Sequence, residues 1–201
     1  MSKRFWNPAN SISLGRIPFL FGIVALILLP PLESVFYQRI AVVLIAILFL
    51  LDQVDGYVAR KTGSTTKIGA MVDIMVDRIV ELILWVTVAF VGYAPVWVPF
   101  VFISRGLITD TIRSEVYRKG LTPYEMIQSK VGKIIVSSHI SRGIYAVLKA
   151  FTFCYVLAVP AFGVPEIWAP ILVYASTIYC IVRGIPVIAD ARHVFSEEKI
   201  E

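Results

Sequence analysis

Apolar residues occupy the chain in long runs broken by short polar joins. Crossing a bilayer takes about 20 residues of helix. Six stretches approach that length: 16–30, 38–60, 67–92, 95–117, 143–160 and 168–190. The first is short for a span, so it is expected to grow from an interfacial segment around Asn10–Arg16, with residues 1–15 forming the N-terminal interfacial part. Helix breakers mark the joins: Pro30-Pro31, Gly63, Gly92 with Pro95, Gly120 with Pro123, and Pro160 through Pro165. The pattern predicts an all-α integral membrane protein, a single domain over residues 1–201 with six transmembrane helices. No internal repeat, low-complexity tract or linker interrupts it.

Composition agrees. Only 16% of the residues are charged and the mean hydropathy is +0.79, whereas a soluble domain carries about a quarter charged residues. Lys3 and Arg4 precede an apolar run, but Asn7, Asn10 and Arg16 interrupt its start and no small-residue cleavage pattern follows, so a secretory signal is not expected. Basic residues fall on alternate joins: Lys3, Arg4 and Arg16; Arg60, Lys61 and Lys67; Arg118, Lys119, Lys130 and Lys133; Arg192 and Lys199. The opposite joins carry Glu33, Glu166 and one exception, Arg39. The positive-inside rule then puts both termini, 59–67 and 118–142 in the cytoplasm, in an inner or plasma membrane. The net charge of +5 reads as topology plus attraction to anionic lipid or phosphate, not as nucleic-acid binding. Cys154 and Cys180 match no metal-ligand spacing and read as packing residues.

Polar chemistry concentrates between the second and third runs, where Asp52, Asp55, Asp73 and Asp77 lie. A carboxylate at membrane depth is costly and is paired, metal-bound or turned to a polar cavity. Asp52 and Asp55 are three apart and share a helix face; Asp73 and Asp77 are four apart and share another. A short basic turn joins the two helices, which must run antiparallel, so the pairs can face each other. Four carboxylates can hold one or two hard divalent cations, Mg²⁺ or Mn²⁺. No Cys or His lies in this segment, which argues against zinc or copper. Gly56, Ala59 and Gly69 permit close approach, and Arg60 is placed to hold a phosphate. Cations plus an arginine suit a pyrophosphate group and displacement at phosphorus. The bland reading, Asp residues merely paired with Arg or Lys, leaves this interleaving unaccounted for.

The pattern Asp-x2-Asp-Gly-x2-Ala-Arg-x8-Gly-x3-Asp-x3-Asp over residues 52–77 resembles the signature of the CDP-alcohol phosphatidyltransferase family at every defined position, and the six-span topology resembles it too. The resemblance implies a cytoplasm-facing polar cavity with two Mg²⁺ or Mn²⁺ ions held by Asp52, Asp55, Asp73 and Asp77. It implies a CDP-linked lipid such as CDP-diacylglycerol that gives its phosphatidyl group to an alcohol, with CMP leaving. Asp77 is then the general base; Gly56, Ala59, Arg60 and Gly69 shape the CDP pocket beside Asp52 and Asp55. Members are commonly homodimers.

A second polar constellation comprises Arg105, Asp110, Arg113, Glu115, Arg118, Lys130, Lys133, His139 and Arg142. Arg105, Arg113, Lys130 and Lys133 converging beside the metals would suit a phosphorylated acceptor. The alternative is a basic loop touching anionic lipid headgroups. Asp110 and Glu115 are expected as salt-bridge partners of the neighbouring arginines, and His139 as a hydrogen-bonded structural residue. Residues 7–16, with Ser-Arg-Gly at 104–106, Ile-Arg at 112–113 and Val-Gly-Lys at 131–133, resemble the phosphatidylglycerophosphate and cardiolipin synthases of the family. Ala9 breaks their Pro-Asn adjacency, Gly106 replaces their usual Glu, and Gln53-Val54 and 137–142 also depart from their pattern. Glycerol 3-phosphate is therefore the first expectation, inositol phosphate or inositol the second, and serine less suited because it needs fewer cations. A UbiA-type prenyltransferase would need more spans and widely separated aspartate motifs. An acidic-site cation transporter would place its site near the bilayer midplane.

Overall fold

The computed structural model describes residues 8–29, 34–61, 67–118 and 126–195. Among these no strand occurs. The elements are α1 (Pro8–Leu28), α2 (Val35–Lys61), α3 (Lys67–Phe90), α4 (Trp97–Arg118), the single turn α5 (Lys130–Gly132), a π-helical turn over Lys133–Ser137, α6 (His139–Phe162) and α7 (Trp168–Phe195). Each long apolar run of the sequence corresponds to one long helix. Four stretches, Asn10–Leu28, Val35–Val54, Ile140–Phe162 and Trp168–Arg192, are long and apolar enough to cross a membrane. The other two long helices carry more charge: Asp73, Asp77, Arg78 and Glu81 in α3, and Arg105, Asp110 and Arg113 in α4.

The helix α1 opens earlier than its apolar run. Proline suits the first helical position, where its missing N–H would have no partner anyway, and Pro8 starts the helix. Asn10, Ser13 and Arg16 therefore sit on its opening turns, three apart on one face, and all are buried.

Helix ends follow local rules. At the end of α3, Gly92 takes φ +83°, donates its N–H to Ala89 O at 3.1 Å, and lets Tyr93 N–H reach Val88 O at 2.9 Å. That is the Schellman arrangement, which satisfies carbonyls the helix leaves open. The helix α6 does not stop at Pro160, where the sequence pattern predicts a break. It runs to Phe162 and ends at Gly163, φ +66°. So close to the end, proline removes only one intrahelical bond. Arg39 explains its own exception to the loop-charge pattern. Its Nε donates to Ala161 O at 2.9 Å, and its guanidinium lies 5.5 Å from the Phe162 ring centroid, a favourable place for a cation at a helix C-terminus.

The chain divides into two compact units. The first comprises Met1–Val96 with Ala150–Ala169. There α1 packs on both α2 and α3. Its core is built from stripes at helical spacing: Leu20, Ile23 and Ile27; Ala41, Ile45 and Leu48; Val76, Val80 and Leu84. Trp85 is fully buried against Phe153, ring centroids 4.6 Å apart. Phe21, Leu50, Met71 and Phe90 point outward and are exposed. Helices apolar inside and out are what a lipid surround requires.

The second unit comprises Trp97–Lys149 with Pro170–Glu201. Val98, Phe102, Gly106, Thr109, Ile112 and Val116 form the buried stripe of α4. Ile112 and Val116 pack with Met126, Ile127, Val136, Val187 and Ala191. Asp190, buried on α7, fastens the segment before α5. It accepts from the Ser129 N–H at 3.3 Å and from Ser129 Oγ at 3.0 Å. The same Oγ accepts from Gly132 N–H at 3.2 Å and caps α5.

Candidate active site

The first unit carries an acidic centre. Asp52 of α2 meets Asp73 and Asp77 of α3, and one carboxylate oxygen of each lies within 4.8 Å of the others. Asp73 and Asp77 are one helical turn apart, so they present their carboxylates on one face. Asp77 is the most open, with 49% of its side chain exposed against 22% for Asp52. Gln53 Nε2 donates to Asp52 Oδ2 at 3.0 Å. The donor set consists of hard carboxylate oxygens only. Two ligands of one Mg²⁺ lie about 4 Å apart or less, since each bond is about 2.1 Å. An all-carboxylate set at this spacing, among the described residues, suits a hard divalent cation. Asp55, Gly56, Ala59 and Arg60 lie on the last turns of α2, but their side chains are outside the described residues. Gly69 is in the first turn of α3, one turn before Asp73.

Arg16 reaches the same place from α1. It is 1% exposed, donates to Asp52 Oδ1 at 2.7 Å, and stands 3.0 Å from Asp77 Oδ1. The sequence pattern reads Arg16 as a loop charge. Its period-three register with Asn10 and Ser13 was the available sign that it faces inward.

The second unit carries a basic centre. Arg183, in the middle of α7, is 6% exposed. Its Nη1 donates to Ser141 Oγ at 3.1 Å, and its guanidinium lies 5.2 Å from the Tyr145 ring centroid. Ser141 Oγ and Tyr179 Oη are 3.0 Å apart, and the Tyr145 and Tyr179 rings stack at 5.6 Å. Arg105 and Arg142 are close enough to Arg183 to repel its charge. Arg105 is fitted against Gly184. The Nε atoms of Arg105 and Arg183 are buried with no hydrogen-bond partner among the described residues. Like charges with buried donors left over are costly until an anion joins them. Arg183 was readable in principle, as a cation amid an apolar run.

The remaining cations named from sequence are placed differently. Arg113 stands 3.8 Å from Asp110, and Arg118 2.8 Å from Glu115, both three residues back along α4. Lys130 opens α5, Lys133 opens the π-helical turn, and both are exposed. The His139 side chain is outside the described residues.

The chain is 37% identical to an archaetidylinositol phosphate synthase of Aeropyrum pernix over 81 residues, 40% of this chain and 41% of that one. It is 32% identical to a CDP-diacylglycerol–glycerol-3-phosphate 3-phosphatidyltransferase of Bacillus subtilis over 118 residues, 54% of this chain and 61% of that one. It is 31% identical to a probable phosphatidylglycerophosphate synthase of Mycobacterium tuberculosis over 74 residues, 37% and 35% of the two chains. The matched segments thus span between about a third and three-fifths of these curated relatives. A family model covers far more of this chain, from residue 6 to residue 182, and takes in the acidic signature and the first half of α7, ending just before Arg183. With that match the chain belongs to the CDP-alcohol phosphatidyltransferase family.

Proposed function

We propose that the protein transfers a phosphatidyl group from a CDP-linked lipid, such as CDP-diacylglycerol, to an alcohol that itself carries a phosphate. Its family and the acidic centre support the donor half of this reading. The single observation that carries the acceptor half is the basic centre, where Arg183 and Arg105 hold buried Nε donors without partners among the described residues. Bidentate arginines suit a phosphate monoester better than a neutral hydroxyl group.

In this reading Asp52, Asp55, Asp73 and Asp77 hold two divalent cations, which when bound neutralise the pyrophosphate and stabilise the leaving phosphate. Gly56, Ala59, Arg60 and Gly69 shape the CDP pocket. Asp77, the most open carboxylate of the three described, takes the proton of the acceptor hydroxyl. The hydroxyl oxygen bonds to the phosphorus bearing the lipid alcohol, the bond from that phosphorus to the CMP phosphate oxygen breaks, and CMP leaves with that electron pair. Lys130, Lys133 and Arg113 add positive potential on the acceptor side. All six long helices span the membrane in a single domain, with both termini and a polar cavity on the cytoplasmic side, and the protein works as a homodimer.

Glycerol 3-phosphate is the first acceptor on this reading, in keeping with the bacterial relatives' names. An inositol phosphate is the second, favoured by the archaeal relative, whose name specifies that product class. An Asp77→Asn variant tests the division of roles. It is expected to bind CDP-diacylglycerol as the unaltered protein does and to lose transfer by a factor of about 100 or more. Full transfer by Asp77→Asn would remove Asp77 as the base.

A further inference from the structure

Arg16 is among the largest fully buried side chains of the described residues, and it stands within salt-bridge distance of Asp52 and Asp77. The two belong to different helices, α2 and α3, while Arg16 belongs to α1. One guanidinium therefore ties together three helices at the point where carboxylate oxygens crowd to within 4.8 Å. Like charges crowded this closely repel one another. A planar fork with several donors is suited to bridging two carboxylates at once.

We propose that Arg16 is the built-in counter-charge of the acidic centre, a positioning residue that keeps Asp52 and Asp77 assembled before a divalent cation arrives. The inference rests on the proposed metal-binding role of those carboxylates. It also gives the buried opening of α1 a purpose, because the polar face of that helix brings a positive charge to the carboxylates of α2 and α3. A mere packing role makes a different prediction. The stem of a buried arginine fills space whether or not a cation is present, whereas a counter-charge matters most when the cation is absent.

Thermal unfolding of the full chain in detergent, in EDTA and in saturating Mn²⁺, separates the two. Arg16→Met is expected to lower Tm by about 5 °C or more in EDTA and by less than half as much in Mn²⁺. Mn²⁺ then raises the Tm of Arg16→Met by more than that of the unaltered protein. Arg16→Lys keeps the charge and is expected to recover part of the EDTA loss; it also carries the comparison should Arg16→Met fail to fold. Equal losses in EDTA and Mn²⁺, alongside a normal Mn²⁺ shift in the unaltered protein, would overturn the role of Arg16 alone. No Mn²⁺ shift in the unaltered protein would overturn the metal reading and this role together.

Discussion

Gly184 is where it is because of Arg105: a Cβ added to Gly184 would lie 3.0 Å from Arg105 Cγ and 3.5 Å from its Nε. The neighbour in the chain, Arg183, is the buried centre of the basic cluster. Glycine thus lets two like charges converge from α4 and α7. Gly184→Ala forces the Arg105 side chain aside by a few tenths of an ångström. It is expected to raise the KM for a phosphorylated acceptor roughly 3- to 10-fold while leaving the KM for CDP-diacylglycerol within twofold. Steady-state kinetics with each substrate varied in turn checks this.

Arg183 should matter more. Arg183→Met removes a guanidinium that bonds Ser141 and lies against Tyr145. The expected result is a rise of roughly 10- to 100-fold in acceptor KM, with CDP-diacylglycerol binding unchanged. Arg183→Lys keeps the charge but not the fork and should fall between the two. Equal losses for both substrates in Arg183→Met would point to a general disturbance of α7.

Removal of metal should silence the protein. EDTA is expected to abolish CMP release, and Mg²⁺ or Mn²⁺ to restore it. Asp52→Asn and Asp73→Asn each alter a carboxylate of the three-residue centre. Each is expected to lower turnover at least about 100-fold and to blunt the rise in Tm with Mn²⁺. Binding of Mn²⁺ measured by calorimetry reads the same loss without reference to turnover.

Much of this was legible in the chain. The long helices among the described residues follow from the apolar runs, because in lipid a backbone satisfies its polar groups by staying helical, and four of them are long and apolar enough to cross a membrane; the breakers Pro30-Pro31, Gly63 and Gly120 with Pro123 lie outside the described residues. The acidic centre follows from spacing: Asp52 lies near the end of α2, and Asp73 and Asp77 lie one turn apart on α3, which begins a few residues later. The pairs Arg113–Asp110 and Arg118–Glu115 follow in the same way from a separation of three along one helix. What the pattern missed depends on tertiary packing. Arg16 looks like a loop charge until α1 is extended back to Pro8, which buries it. Arg183 and Ser141 are 42 residues apart and meet only when α6 and the body of α7 pack. Pro160 looks like a stop, yet the helix end lies at Gly163, where the chain turns to positive φ.

Asp190 holds the segment before α5 through the N–H and Oγ of Ser129. Asp190→Ala leaves these donors without their acceptor and exposes α5 to fraying. A loss of about 1–3 kcal/mol in stability is expected, read as a lower midpoint in chemical denaturation. Ser129→Ala should cost about 1 kcal/mol, because the cap is lost but no buried donor is stranded.

Arg39 offers a control remote in chemistry from both centres. Its bond to Ala161 O secures the end of α6. Arg39→Ala is expected to lower stability by about 1 kcal/mol and to leave both KM values unchanged.

The most direct measurement is CMP release from CDP-diacylglycerol by the purified protein with Mg²⁺ or Mn²⁺, comparing glycerol 3-phosphate with glycerol and inositol 1-phosphate with inositol, and serine alongside. Release with a phosphorylated acceptor and not with its unphosphorylated partner is the predicted result, and the acceptor that works names the product. Release with glycerol, inositol or serine alone, or none with any acceptor, would contradict a phosphate-bearing substrate at the basic centre.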